Sequence, residues 1–223
     1  MTHTLHRVGG ERSLKKDYVI YGLSAQDAEL IDREYKRDTR ETHRRFMEIC
    51  FQHEPINAGC IYPTKNPYSK TLAKGNNWKE MEQEIIPYTE TLAVFDDIKK
   101  VKSVINDLKK ADLGISVVVS GIFNDVFESC KKSSLTPHTV NISLGIMGDE
   151  KLKPKGKKLD IVTMCGHGLV SRYLIEDLIS KISKGELTVA KAAKILGAQC
   201  VCGAFNTNRA AEILLEIIEE RRE

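Results

Sequence analysis

Short runs of β-branched and aromatic residues alternate with amphipathic stretches along most of this chain, which confines it to a layered α/β structure. The runs are Asp17–Gly22, Thr91–Phe95, Ile115–Val119, Thr139–Leu144 and Leu159–Met164. After Asp96 and Asp97, either of which can cap a helix, Ile98, Val101, Ile105 and Leu108 recur at helical spacing. Phe123, Val126, Phe127 and Cys130 share one side of a shorter helix. Strand–helix–strand order of this kind predicts a mixed, partly parallel sheet flanked by helices.

Beyond Met164 the pattern turns helical. Leu169–Ile182 is amphipathic, Thr188 caps a short helix to Leu196, and Asn206 caps a last helix with Ala210, Ala211, Leu214, Leu215 and Ile218 inward. The expected division is an α/β region over 1–158 and a strand plus helical lobe over 159–223, or one continuous domain. An early helix is expected from Ser24 to about Gln52, with Tyr35, Thr42, Phe46, Ile49 and Cys50 inside. Residues 54–78 keep no periodicity and read as a long basic loop. They carry Lys65, Lys70 and Lys74 with Tyr62, Tyr68 and Trp78, and no acidic residue between Glu54 and Glu80. Such a loop either closes over an anion or is plain surface. A second lysine cluster, Lys151 to Lys158, surrounds Pro154 and Gly156.

Composition narrows the function classes. The 223 residues carry a net charge of +3, too weak to argue for nucleic acid. Leu187–Gly197 resembles the first helix and turn of a helix-turn-helix module, but Cys200-Val201-Cys202-Gly203 stands where a groove-reading helix should begin. No apolar run approaches the roughly 18 residues of a membrane helix, and the first residues lack the apolar core of a signal peptide. A cytoplasmic chain without a membrane anchor is expected, and a homo-oligomer is left open.

The six cysteines are too sparse for a secreted disulfide scaffold. Cys50 and Cys130 fall on apolar stripes and read as core. Cys165-Gly166-His167-Gly168 and Cys200-Val201-Cys202-Gly203 are different, because each lies in a glycine-bearing loop ahead of a helix, the second next to Asn206. Glycines there permit tight turns and close approach of a ligand. Amides at a helix start favour an anion and lower the pKa of a nearby thiol. If the helices pack side by side, three thiols meet.

Three converging thiolates suit a [4Fe–4S] cluster with one iron left open to activate a small anionic substrate, in lyase-like elimination or sulfur handling. Cys165, Cys200 and Cys202 would be the ligands, with Gly166, Gly168, Gly203 and Asn206 around the cofactor and His167 the nearest acid–base group. Zinc held by the same cysteines and His167 is the alternative metal, and a non-catalytic binding or regulatory module that holds zinc or the cluster is the alternative function. Without metal, Cys165 is a candidate nucleophile, Cys200 and Cys202 are a candidate redox pair, or all three are inert core. His3 and His6 gain meaning only if the N-terminus folds onto the Cys165 loop.

Overall fold

The computed structural model describes residues 3–24, 38–62, 70–87 and 89–221. Five strands form one sheet in the order β3-β2-β4-β1-β5: β1 (Tyr18–Leu23), β2 (Asn57–Tyr62), β3 (Lys70–Gly75), β4 (Glu90–Phe95) and β5 (Ser116–Ser120). Every neighbouring pair is antiparallel. The partly parallel sheet expected from the sequence is therefore wrong. The helices are α1 (Glu11–Leu14), α2 (Thr39–Gln52), α3 (Trp78–Glu84), α4 (Ile98–Ala111), α5 (Phe123–Lys132), α6 (Lys157–Thr163), α7 (Arg172–Ser183), α8 (Val189–Gln199) and α9 (Thr207–Glu220).

The error has a definite cause. Strands with a helix between them in the chain, β1 and β2, β3 and β4, and β4 and β5, do run in the same direction. Each such pair is split by one antiparallel strand, β4, β2 and β1 respectively. Burial adds to the confusion. Tyr18, Ile20, Ala93 and Phe95 pack on one face with α2, α3 and α4, and Val19, Tyr21, Leu92 and Val94 pack on the other with α6 to α9. A central strand covered on both faces reads as an unbroken apolar run, the usual mark of a parallel sheet.

Other expectations divide. Asp97, Thr188 and Asn206 cap their helices through side-chain oxygens that accept backbone N–H groups. The early helix begins later than expected, capped by Asp38, and Ser24 caps nothing described because residues 25–37 lie outside the described residues. Residues 54–78 are not a bare loop, since they hold β2 and β3. Glycines and prolines mask the strand signal there, and β2 (NAGCIY) lacks a β-branched run. Leu159–Met164 lies largely in α6, because a short apolar run fits either period. Thr139–Leu144 pairs with no strand among the described residues.

One polar group inside the sheet–helix interface is titratable. His43 of α2 is fully buried, with Ser24 Oγ 2.7 Å from Nε2 and Thr91 Oγ1 2.9 Å from Nδ1. Burial pushes its pKa down to about 4. A folded-state pKa below the unfolded value near 6.5 means that the unfolded chain takes up the proton first. The resulting stability is complete above the unfolded value and is lost as pH falls toward the folded one. We expect this site alone to remove about 2 kcal/mol between about pH 7 and pH 5. Urea denaturation of the wild type and of His43→Gln at both pH values checks this: the variant should show a shallower acid loss, and equal slopes would exclude the assignment.

Candidate functional site: a buried chain of three thiols

Both cysteine loops turn out to be links between helices. Cys165 follows α6, whose C-cap is Met164, and the chain reaches α7 after Ser171 caps it. The expected strand-to-helix turn at Cys165 is thus a helix-to-helix turn. Cys200 is the C-cap of α8, and Asn206 is the N-cap of α9. Because α8 and α9 pack against each other and against the sheet, the short link between them is drawn onto β2. Contact there is close. A Cβ built on Gly59 would lie 1.9 Å from the Cys202 carbonyl oxygen, and one on Gly203 would lie 2.3 Å from that of Ala58. Gly203 also has φ +80°, and Gly168 in the other loop has φ +69°.

This packing brings together the three cysteines singled out from the sequence. Cys165, Cys200 and Cys202 are all buried, and the Sγ atoms of Cys200 and Cys202 are 3.7 Å apart. Cys165 bonds Cys200 on one side and His167 on the other, and His167 is exposed. The result is a thiol chain that runs from a surface imidazole to the interior. The amide of Leu169 reaches Cys165, and the amide of Ala204 reaches Cys202.

Ionisation is graded along the chain. The bond to Cys200, with burial, pushes Cys165 up to about 12, against a smaller downward pull from His167. Cys200 is pulled down by its bond with Cys165, but the bond with Cys202 and burial leave it above the usual thiol range. Cys202 lies below that range, because the bond from Cys200, the Ala204 amide and the Arg7 guanidinium together outweigh burial. Of the three, Cys202 is therefore the first to become a thiolate.

Arg7 was not foreseen. Its guanidinium donates to the carbonyl of Met164 at 3.3 Å and to that of Ala204, so one side chain ties both cysteine loops together. It also pairs with Asp17, which Arg209 binds from the other side at 2.7 Å. Asn206 Nδ2 donates to Asp17 at 3.1 Å and to the Lys16 carbonyl at 2.8 Å. The N-terminus therefore does fold onto the Cys165 loop. His6 meets Ser143 Oγ at 3.1 Å through Nδ1, and nothing is described of the His3 side chain. Arg209 carried one sequence signal, a charge beside Ala210 on an otherwise apolar helix stripe. Arg7 and Asp17 carried none, since nothing local marks a charge buried by a partner some 190 residues away.

The other cysteines and the lysines are placed as follows. Cys50 is buried in the opposite core, and its thiol is pushed well above the usual range by burial. Cys60 lies there too, with Sγ 3.0 Å from Met81 Sδ, and burial pushes it up to about 12. Cys130 is half-buried. Lys74 donates to the carbonyls of Ala198 at 2.6 Å and Cys200 at 2.9 Å. Lys153, Lys157 and Lys158 are paired with Glu150, with Glu216 and Glu220, and with Glu176. Lys65 lies outside the described residues. Among the described residues no set of three or more His, Cys, Asp or Glu side chains stands at metal-holding geometry, and no helix is long and apolar enough to cross a membrane. The chain matches no protein-family model, no curated protein and no solved structure. Its function must be argued from the site's own residues.

The backbone contact that forms the pocket gives a direct test. Gly59→Ala should destabilise the protein by about 3 kcal/mol, because the added methyl meets backbone on an adjacent element. Thermal unfolding should show this against Gly10→Ala, where a Cβ meets nothing within 4 Å. Equal melting temperatures would mean that the loop lies away from β2.

Proposed function

We propose that the pocket is a metal–thiolate centre in which Cys165, Cys200 and Cys202 would hold a [4Fe–4S] cluster, with His167 as the nearby acid–base residue. The observation that carries this reading is the convergence of three buried thiols from two loops on a single bonded chain. Three cysteine ligands leave one iron free, and an open iron polarises hydroxyl or carboxylate oxygens. Two features favour a charged centre here. The Leu169 and Ala204 amides already point at sulfur, as donors that offset cluster charge do. Arg7 Nε is buried without an acceptor among the described residues, a donor that an anionic centre would satisfy. His167, exposed and bonded to Cys165, is the residue placed to exchange a proton with a small anionic substrate.

One distance favours a second reading. Two thiolates on a single tetrahedral zinc ion stand about 3.8 Å apart, from Zn–S bonds of about 2.3 Å. The 3.7 Å between Cys200 and Cys202 needs no change to meet that value. On a cluster each cysteine binds its own iron, so these two sulfurs would have to separate. His167 would then complete a three-cysteine, one-histidine set, and the site would brace the fold without catalysing a reaction.

Anaerobic purification followed by iron, sulfide and zinc analysis and an absorption spectrum separates the two. We expect iron and sulfide in about equal amounts, most of both lost on replacing Cys165, Cys200 or Cys202 by Ala, and full retention in Cys50→Ala and Cys130→Ala. Zinc alone, lost also in His167→Ala, would establish the second reading. Protein that takes up neither metal after anaerobic reconstitution would exclude both.

A further inference from the structure

The stretch from Ser133 to Gly148 has sixteen residues and no Lys, Arg, Asp or Glu. Within it Thr139–Leu144 alternates as a strand does but pairs with no strand among the described residues. Its apolar side chains lie open. Ile142 is 72% and Leu144 82% exposed, with Met147 at 81%, whereas Ser143 between them is half-buried. The Ser143 hydroxyl accepts from the Gly145 amide at 3.0 Å and meets His6. Ser143 thus ties the segment to the N-terminal residues while its apolar side chains face water.

A matching vacancy lies beside it. β5 ends the sheet and pairs with β1 on one side only. Its sequence, Ser116-Val117-Val118-Val119-Ser120, has none of the charges or prolines that keep an edge strand from pairing, and Val117 is 38% exposed. Edge and segment adjoin, because Asn141, Ile142 and Ser143 line a cleft of ≈ 220 Å³ with Ser120, Gly121 and Phe123 at the end of β5.

We propose that this chain forms a homodimer in which Thr139–Leu144 of each copy adds as a strand to the open β5 edge of the other. A second copy fits for three reasons. Edge and segment lie together on one face, so a two-fold axis near the cleft makes both contacts at once. Neither element bears a charge, so two identical faces meet without repulsion. The exposed apolar side chains Val140, Ile142, Leu144 and Met147 of the segment, with Phe123 and Val117 by the edge, are the kind of surface that a homodimer interface buries. Backbone bonds along β5 supply the pairing, and Ile142, Leu144 and Met147 supply the apolar burial.

Sedimentation analysis of the full chain tests this. The wild type should sediment as a dimer. The double variant Ile142→Asp, Leu144→Asp and the separate edge variant Val117→Lys should each raise the dissociation constant by about 30-fold or more, with unchanged circular dichroism. Hydrogen exchange of the dimer should show amides in Ser116–Ser120 and Thr139–Leu144 that lose protection in both variants. A wild type that stays monomeric at high concentration overturns the proposal. So does a dimer that neither variant weakens. Neither result bears on the metal content of the cysteine pocket.

Discussion

A carboxylate between two guanidinium groups fixes how the parts of this molecule are arranged. Asp17 is fully buried at the entrance to β1, gripped by Arg7 on one side and Arg209 on the other, with Asn206 donating to it. Such a group of charges adds little net stability, since desolvation offsets most of the attraction. Its effect is on specificity. Removing Asp17 leaves two buried guanidinium charges uncompensated, at a cost of roughly 3–5 kcal/mol, so arrangements that displace it are strongly disfavoured. Arg7 extends the network to the carbonyls of Met164 and Ala204, next to Cys165 and close to Cys202. The position of the thiols thus depends on an ion network that contains no thiol.

The same guanidinium shapes the chemistry. A buried thiol ordinarily resists ionisation, as Cys50 and Cys60 do in the opposite core. Beside the Cys200 thiol, the Ala204 amide and Arg7 the balance reverses, and Cys202 lies below the usual thiol range despite burial. Cys202 therefore differs from Cys50, Cys60, Cys165 and Cys200, all raised, through its neighbours.

How far the sequence foretold this depended on whether a signal was local. Asp97, Thr188 and Asn206 were legible as caps because a cap is decided within four residues. Cys165, Cys200 and Cys202 were legible as a group because each lies in a glycine-bearing loop ahead of a helix, and helices packed side by side bring such loops together. Strand adjacency was not legible: a helix crossover fixes relative direction, but what lies between the joined strands is decided by a third segment. β2 and β3 were hidden by glycines, and at Gly59 the glycine is demanded by the Cys202 backbone rather than by any turn. Arg7 and Asp17 were invisible for the same reason, since their partners are set by tertiary structure. The alternation of Thr139–Leu144 is a strand signal that the single chain leaves unused.

The reach of Arg7 to Ala204 spans 197 residues. During synthesis Arg7 is made long before Ala204 exists, and all five strands precede Ala204 as well. The tie between the two cysteine loops can form only once both loops and the N-terminal segment have been made. A vectorially made chain therefore passes through a stage with every strand present and the cysteine loops not yet joined by the arginine.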